Sequence, residues 1–274
     1  MPLYEPEVER IATLVRSGTF SAATRQDLQL VLAEHAQQAG WAAFDAGLQA
    51  KARQHFETSF EIAKDARSAD LAGNALALRS YQLLSAGTIA SELTDRSLAT
   101  ITTETHPAVR SLLFQRGAWT YAVAGDAQRT ARALAQASDA LAADSLAGSA
   151  PDWAAWAHNQ TELEIMAGRC WAELRCPMRA IPALEAAMSR YNDSHARDKA
   201  LYLSWLADSY MDAGEVEHAA VTLGRSFGLA EHVASSRPGQ RLKSVLVRLQ
   251  PYATLGEVGE LLARRPVNPV QVGS

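Results

Sequence analysis

Residues 39 to 66 read AGWAAFDAGLQAKARQHFETSFEIAKDA, and their pattern decides the fold. Small side chains at Ala39, Gly40, Ala42 and Ala43 let a neighbouring helix approach closely, and Gly47 centres a turn. Ala52, Phe56 and Phe60 then recur four residues apart, which puts them in one stripe of a second helix. The stretch is a helical hairpin. The same pattern returns five times along the chain, with Gly47, Gly87, Gly125, Arg175 and Gly214 in equivalent turn positions spaced by 40, 38, 50 and 39 residues.

A period in that range, with each unit reading helix, short turn, helix, is the signature of a tetratricopeptide-like α-solenoid, whose unit alone cannot bury its own apolar face. No alternating Val, Ile, Thr run bounded by Asn-Gly or Asp-Gly interrupts it, so the expected class is all-α. At 274 residues, 48% hydrophobic and 7% aromatic, the chain is expected to form one array over residues 1–265 with a flexible tail over 266–274.

The net charge is −4 and the pI about 6.0. No apolar run reaches the ~18 residues of a membrane span. Glu5, Glu7 and Glu9 stand where a secretory signal would carry positive charge. These features lead us to expect a soluble, cytoplasmic protein. Cys170 and Cys176 lie six residues apart across a helix end, far from a whole number of turns, so neither a disulfide nor a shared metal site is expected. Arg outnumbers Lys 22 to 4, a weak hint of a GC-rich genome.

Walking outward from the first hairpin, a short helix spans 5–16 and a long one 21–46, with Ser21 as its N-cap. The partner of the long helix runs from 49 to 66. The second hairpin pairs 68–86 with 89–103; the third pairs 107–124 with 126–143. Leu146 to Pro151 is the most loop-like internal stretch and accounts for the 50-residue spacing. Asp152 is then expected to cap a helix over 153–174, paired with 177–192, where Pro182 removes one backbone donor and should bend the helix. The fifth hairpin pairs 196–213 with 215–234. Helices over 238–249 and 254–264 are expected to cover the end of the array.

Three strings carry a resemblance: Ala39 to Gly47 (AGWAAFDAG), Ala167 to Trp171 (AGRCW) and above all Ala196 to Ala207 (ARDKALYLSWLA). They resemble the sensor half of actinobacterial Xre-type helix-turn-helix transcriptional regulators, in which a DNA-binding domain precedes a tetratricopeptide array. The resemblance covers about residues 5 to 250. It implies a regulatory array acting on transcription. The front departs from that pattern, because residues 1–20 supply one short helix and no recognition helix; the expectation is either an excised sensor or a stand-alone relative.

Direct nucleic-acid binding by this chain alone is not expected. The densest basic residues, Arg241, Lys243, Arg248, Arg264 and Arg265, are explained by a solvated cap helix. The seven histidines, His35, His55, His106, His158, His195, His218 and His232, include no H-E-x-x-H pair, and no Gly-rich phosphate loop follows a strand. No catalytic residue, metal or cofactor is therefore assigned, and the chain is not expected to be an enzyme.

Function is expected on the groove-facing positions of the first helix of each hairpin. Counting back from the turns selects Gln37, Trp41, Asn74, Tyr81, Gln115, Trp119, Asn159, Glu162, Arg169 and Asp208 as ligand candidates. Amides that both donate and accept, beside rigid aromatics, suit an extended peptide or a small metabolite. Two readings follow. One is a sensor of a peptide or small-molecule signal; the other is a constitutive scaffold that docks a partner protein. Self-association through the terminal helices is expected, and with it a homodimer. If Asn74 and Asn159 contact the ligand, replacing both with Ala should abolish binding and leave the melting temperature within a few degrees.

Overall fold

The computed structural model describes residues 4–143, 149–155, 159–192, 195–231 and 236–264. Among these the chain is all α-helix with no strand, arranged as helical hairpins in sequence order, as expected. It packs as two compact units, Met1–Leu163 and Glu164–Ser274. The tail expected over 266–274 and most of the loop-like 146–151 stretch lie outside the described residues.

The first unit holds α1 (Tyr4–Ser17), α2 (Ala22–Asp45), α3 (Gln49–Asp65), α4 (Ala69–Ser85), α5 (Ser91–Leu98), α6 (Pro107–Val123), α7 (Ala127–Ala142) and the short α8 (Asp152–Ala155). The helix α9 (Gln160–Glu173) spans the boundary. The second unit continues with α10 (Pro177–Arg190), α11 (Ala196–Ala213), α12 (Val216–Ala230), α13 (Ser236–Leu249), a 3₁₀ turn over Gln250–Tyr252 and α14 (Gly256–Arg264).

The turns repeat one piece of backbone chemistry. Gly47, Gly87, Gly125 and Gly214 have φ of 80, 78, 76 and 81°, and Arg175 adopts the same left-handed conformation at 55°. In each, the next N–H closes the helix end onto a carbonyl five residues back: Leu48 to Ala43, Thr88 to Leu83, Asp126 to Tyr121, Cys176 to Trp171 and Glu215 to Tyr210, all at 2.8–2.9 Å. This is the Schellman closure, and it needs a residue with φ > 0. Arg175 holds that position despite the steric cost to an L side chain. At Gly125 no atom lies within 4 Å of an added Cβ, so Gly125→Ala tests the backbone term alone. We expect a loss of about 1 kcal/mol, read as a lowered denaturant midpoint with an unchanged slope.

Close helix approach explains the other recurrent glycines. A Cβ on Gly40 would stand 2.5 Å from the Phe56 ring, and one on Gly168 would stand 2.6 Å from Leu184. Each pairs a first-helix glycine with a bulky residue of the following helix. Within the first unit, α2 touches α4 and α4 touches α6, so the three first helices form a continuous layer; α3 packs on α2 and α4, and α5 on α4 and α6. In the second unit α13 packs on α11 and α12, and α14 on α12. Their shared core contains Leu223, Leu242, Val245, Leu249 and Val258, so the last two helices do cover the array's apolar end face.

Three expectations need correction. The helix expected over 89–103 ends at Leu98, where Thr100, Ile101, Thr102 and Thr103 form a β-branched run, and the Thr100 hydroxyl donates to the Ser97 carbonyl. The helix expected over 153–174 is two helices, α8 and α9, and Asp152 lies inside α8 rather than capping it. Arg241 and Arg248, expected on a solvated face, turn inward onto acidic side chains of α11.

Candidate functional site

The first helices of the first unit carry a chain of polar side chains through otherwise apolar packing. Ser59 Oγ donates to the Ala33 carbonyl at 2.8 Å and accepts from Gln37 Nε2 at 3.0 Å. Gln37 Nε2 also donates to the Leu71 carbonyl at 2.9 Å, and its Oε1 accepts from Asn74 Nδ2 at 2.6 Å. Asn74 Oδ1 in turn accepts from Arg116 Nη1 at 2.8 Å. Gln37 and Asn74 are each 4% exposed, and α2, α3, α4 and α6 all contribute. Buried amides persist only when their donors and acceptors are met, and here each answers the next.

Arg116 ends this chain. No carboxylate among the described residues pairs with it, although Arg129, Arg175, Arg190, Arg241 and Arg248 each hold one. Burial pulls its pKa well below the ordinary guanidinium value, to about 10, with Tyr81 acting the other way. The residue is nonetheless only half-buried by water access. Dense surrounding atoms weaken its hydration while one side stays open. At neutral pH it is a cation. Because its folded pKa lies below its unfolded value, it costs stability at every pH below about 10, and that cost is relieved only as pH rises through 10.

Beside this chain runs a row of rings. Trp41, Tyr81 and Trp119 each stand six residues before a turn glycine, on α2, α4 and α6. Their centroids are 5.5 Å apart for Trp41 and Tyr81 and 4.4 Å for Tyr81 and Trp119; Phe44 packs against both Trp41 and Tyr81. Tyr81 and Trp119 are buried, and Trp41 is half-buried. Tilted contacts of this kind hold neighbouring repeats together, contributing roughly 0.5–1.5 kcal/mol per pair beyond burial.

The remaining candidates do other things. Gln115 is buried and donates to Ser111 Oγ at 3.1 Å, which donates to the Ala137 carbonyl of α7 at 3.0 Å, so it serves the α6/α7 hairpin. Asn159 is exposed, and its Oδ1 accepts the Glu162 N–H at 2.9 Å as the cap of α9; Glu162 is half-buried in that first turn.

Arg169 and Asp208 fall in the second unit, six residues before Arg175 and Gly214, the register of the aromatic row in the first. Both are buried there. The Arg169 guanidinium lies 4.2 Å from the Trp205 ring and that of Arg241 5.0 Å, while Trp205 Nε1 donates to Glu173 at 2.8 Å. Asp208 accepts from Arg241 at 2.7 Å and from Arg248, and Asp212 accepts from Arg248 at 2.6 Å and Arg175 at 2.9 Å. This ladder along α11 fastens α13 in place.

Gln37, Asn74, Trp41, Tyr81 and Trp119 are thus brought together, while Asn159 and Glu162 meet at a helix cap and Arg169 and Asp208 in an ion network. Arg116 was missed by counting positions. Its signal was there: α6 is buried nearly all round, and an arginine in such a helix asks for a partner. Among the described residues no three His, Cys, Asp or Glu side chains cluster as a metal site, and no helix is long and apolar enough to cross a membrane. No protein-family model matches the chain, and no curated protein matches it.

Proposed function

We propose that this chain is a ligand-sensing tetratricopeptide-type module of a bacterial transcriptional regulator, working in the cytoplasm, with a peptide or small-molecule signal bound on the α2–α4–α6 layer. The single observation that carries the reading is the Gln37–Asn74–Arg116 chain, which brings buried amides and a cation without a carboxylate partner among the described residues to the α2–α4–α6 layer, within electrostatic reach of Tyr81. The link to transcription rests on the three sequence strings alone. DNA contact is left to another domain or partner, and a homodimer is the assembly we expect. Ligand binding would shift the balance between two packings of the repeats, by no more than the ligand's differential affinity for them.

Hydrogen–deuterium exchange with and without a low-mass extract of the host tests this. The sensor reading expects slowed exchange in peptides from α2, α4 and α6. No change anywhere with the extract, and slowing only when a host protein is added, would favour the scaffold.

A further inference from the structure

We infer that Arg116 is the anchor for a carboxylate of the ligand, so that the signal is an organic acid, free or as a peptide C-terminus, with an apolar or aromatic body. This rests on the sensing role proposed above and names the chemistry it would recognise. The first argument is charge. Among the described residues the Arg116 side chain meets no carboxylate and has only the neutral Asn74 Oδ1 at 2.8 Å, whereas Arg79 on α4 faces Glu57 at 3.6 Å. A cation withdrawn from water without a counter-charge is strongly unfavourable, and proteins keep one there when something else supplies the charge.

The second argument is redundancy. Arg116 is not needed to join α4 to α6, because a neutral hydroxyl chain already does so. Ser80 Oγ lies 2.8 Å from Thr94 Oγ1, which donates to Thr120 Oγ1 at 2.9 Å. A bridge to Asn74 alone could be made by an uncharged donor.

The third argument is fit. A guanidinium has five N–H donors in a planar fork that matches a carboxylate with two parallel hydrogen bonds. One donor goes to Asn74, and this bond aims the fork. A monoanion neutralises the single charge. A phosphate dianion would leave a net negative charge in the same poorly hydrated place, which favours carboxylate over phosphate. Tyr81 lies close enough to act on Arg116 electrically, and it packs on Trp41 and Trp119, so an apolar body attached to the carboxylate would meet aromatic surface.

The test uses the full chain and three probes at equal ionic strength: N-acetylphenylalanine as its sodium salt, its uncharged amide, and inorganic phosphate. Binding is read by calorimetry and by thermal shift in the wild type, Arg116→Gln and Trp41→Ala. Gln keeps a donor for Asn74 and removes the charge. We expect the acid to bind the wild type saturably with about millimolar affinity. The amide and phosphate should bind roughly tenfold more weakly or not at all, and Arg116→Gln should lose the acid by a similar factor. Its ligand-free melting temperature should equal or exceed that of the wild type, a result that a merely structural arginine would not give. The anchor is overturned if the acid fails to bind, if phosphate binds as well, or if Arg116→Gln binds the acid unchanged or melts well below the wild type. Should acid and amide bind alike and Trp41→Ala weaken both, the anchor fails while the sensing role stands; should no probe bind and the host extract slow no exchange, both fail.

Discussion

Asp208→Ala is expected to lower the melting temperature of the second unit by roughly 10–20 °C. Asp208 is 6% exposed and accepts hydrogen bonds from two arginines of α13, with Arg175 3.9 Å away. Removing one member of a buried ion network leaves the others uncompensated, which costs about 3–5 kcal/mol when all are sealed from water. Here Arg241 and Arg248 remain a quarter to a third open at their side chains, so about 2–3 kcal/mol is the better expectation. Arg248 keeps Asp212, whereas Arg241 has no second acid among the described residues. The loss should therefore appear first as faster amide exchange in α13. Asp208→Asn, which still accepts from one arginine, should fall between. Calorimetry on both variants checks this; a shift of only a degree or two would show that α13 is held by its apolar contacts with Leu223 and Ala219 alone.

Asn74→Ala carries the second large effect, and it reverses the simple expectation for a ligand-contacting asparagine. That expectation had folding untouched when Asn74 and Asn159 were both removed. Asn74 instead links two neighbours, donating to Gln37 Oε1 and accepting from Arg116 Nη1. Alanine leaves both unanswered at a buried position, and we expect a loss of about 2–3 kcal/mol, or roughly 5–10 °C for a unit of this size. Asn159→Ala removes an exposed cap and should cost about 1 kcal/mol. The two sites share no hydrogen-bond partner here, so their effects should add. Thermal melts of the singles and the double decide it: a near-silent Asn74→Ala would mean that Gln37 and Arg116 find replacement partners, most simply water.

The sequence reveals the fold because the repeat rests on local chemistry. A left-handed residue closes each first helix, and a small residue seven before it, as at Gly40 and Gly168, lets the next helix approach; both leave marks on a one-dimensional string. Even Arg175, which no propensity favours for that turn, was placed by register alone and has the required φ of 55°. Boundaries were less legible where competing local terms are close in size, as in the threonine-rich end of α5. The candidate site was legible only in part. Counting back from the turns found Gln37, Asn74 and the aromatic row, since those depend on register. It failed to separate ligand-facing positions from packing ones, because whether Gln115 faces a neighbour or open space depends on the partner helix. It missed Arg116, whose meaning lies in the absence of a nearby carboxylate, a property of three dimensions. The basic residues of α13 were misread for the same reason: Arg241 and Arg248 look like solvated charge until α11 presents Asp208 and Asp212.

The most direct measurement is native mass spectrometry of the wild type and Arg116→Gln, each purified from the protein's own host and compared with its denatured spectrum. We predict that the wild type releases an extra mass of peptide or metabolite size bearing a carboxylate, and that the variant, equally well folded, carries none. A wild type without any retained small molecule, or a variant that retains the same one, would contradict a ligand-sensing site built around Arg116.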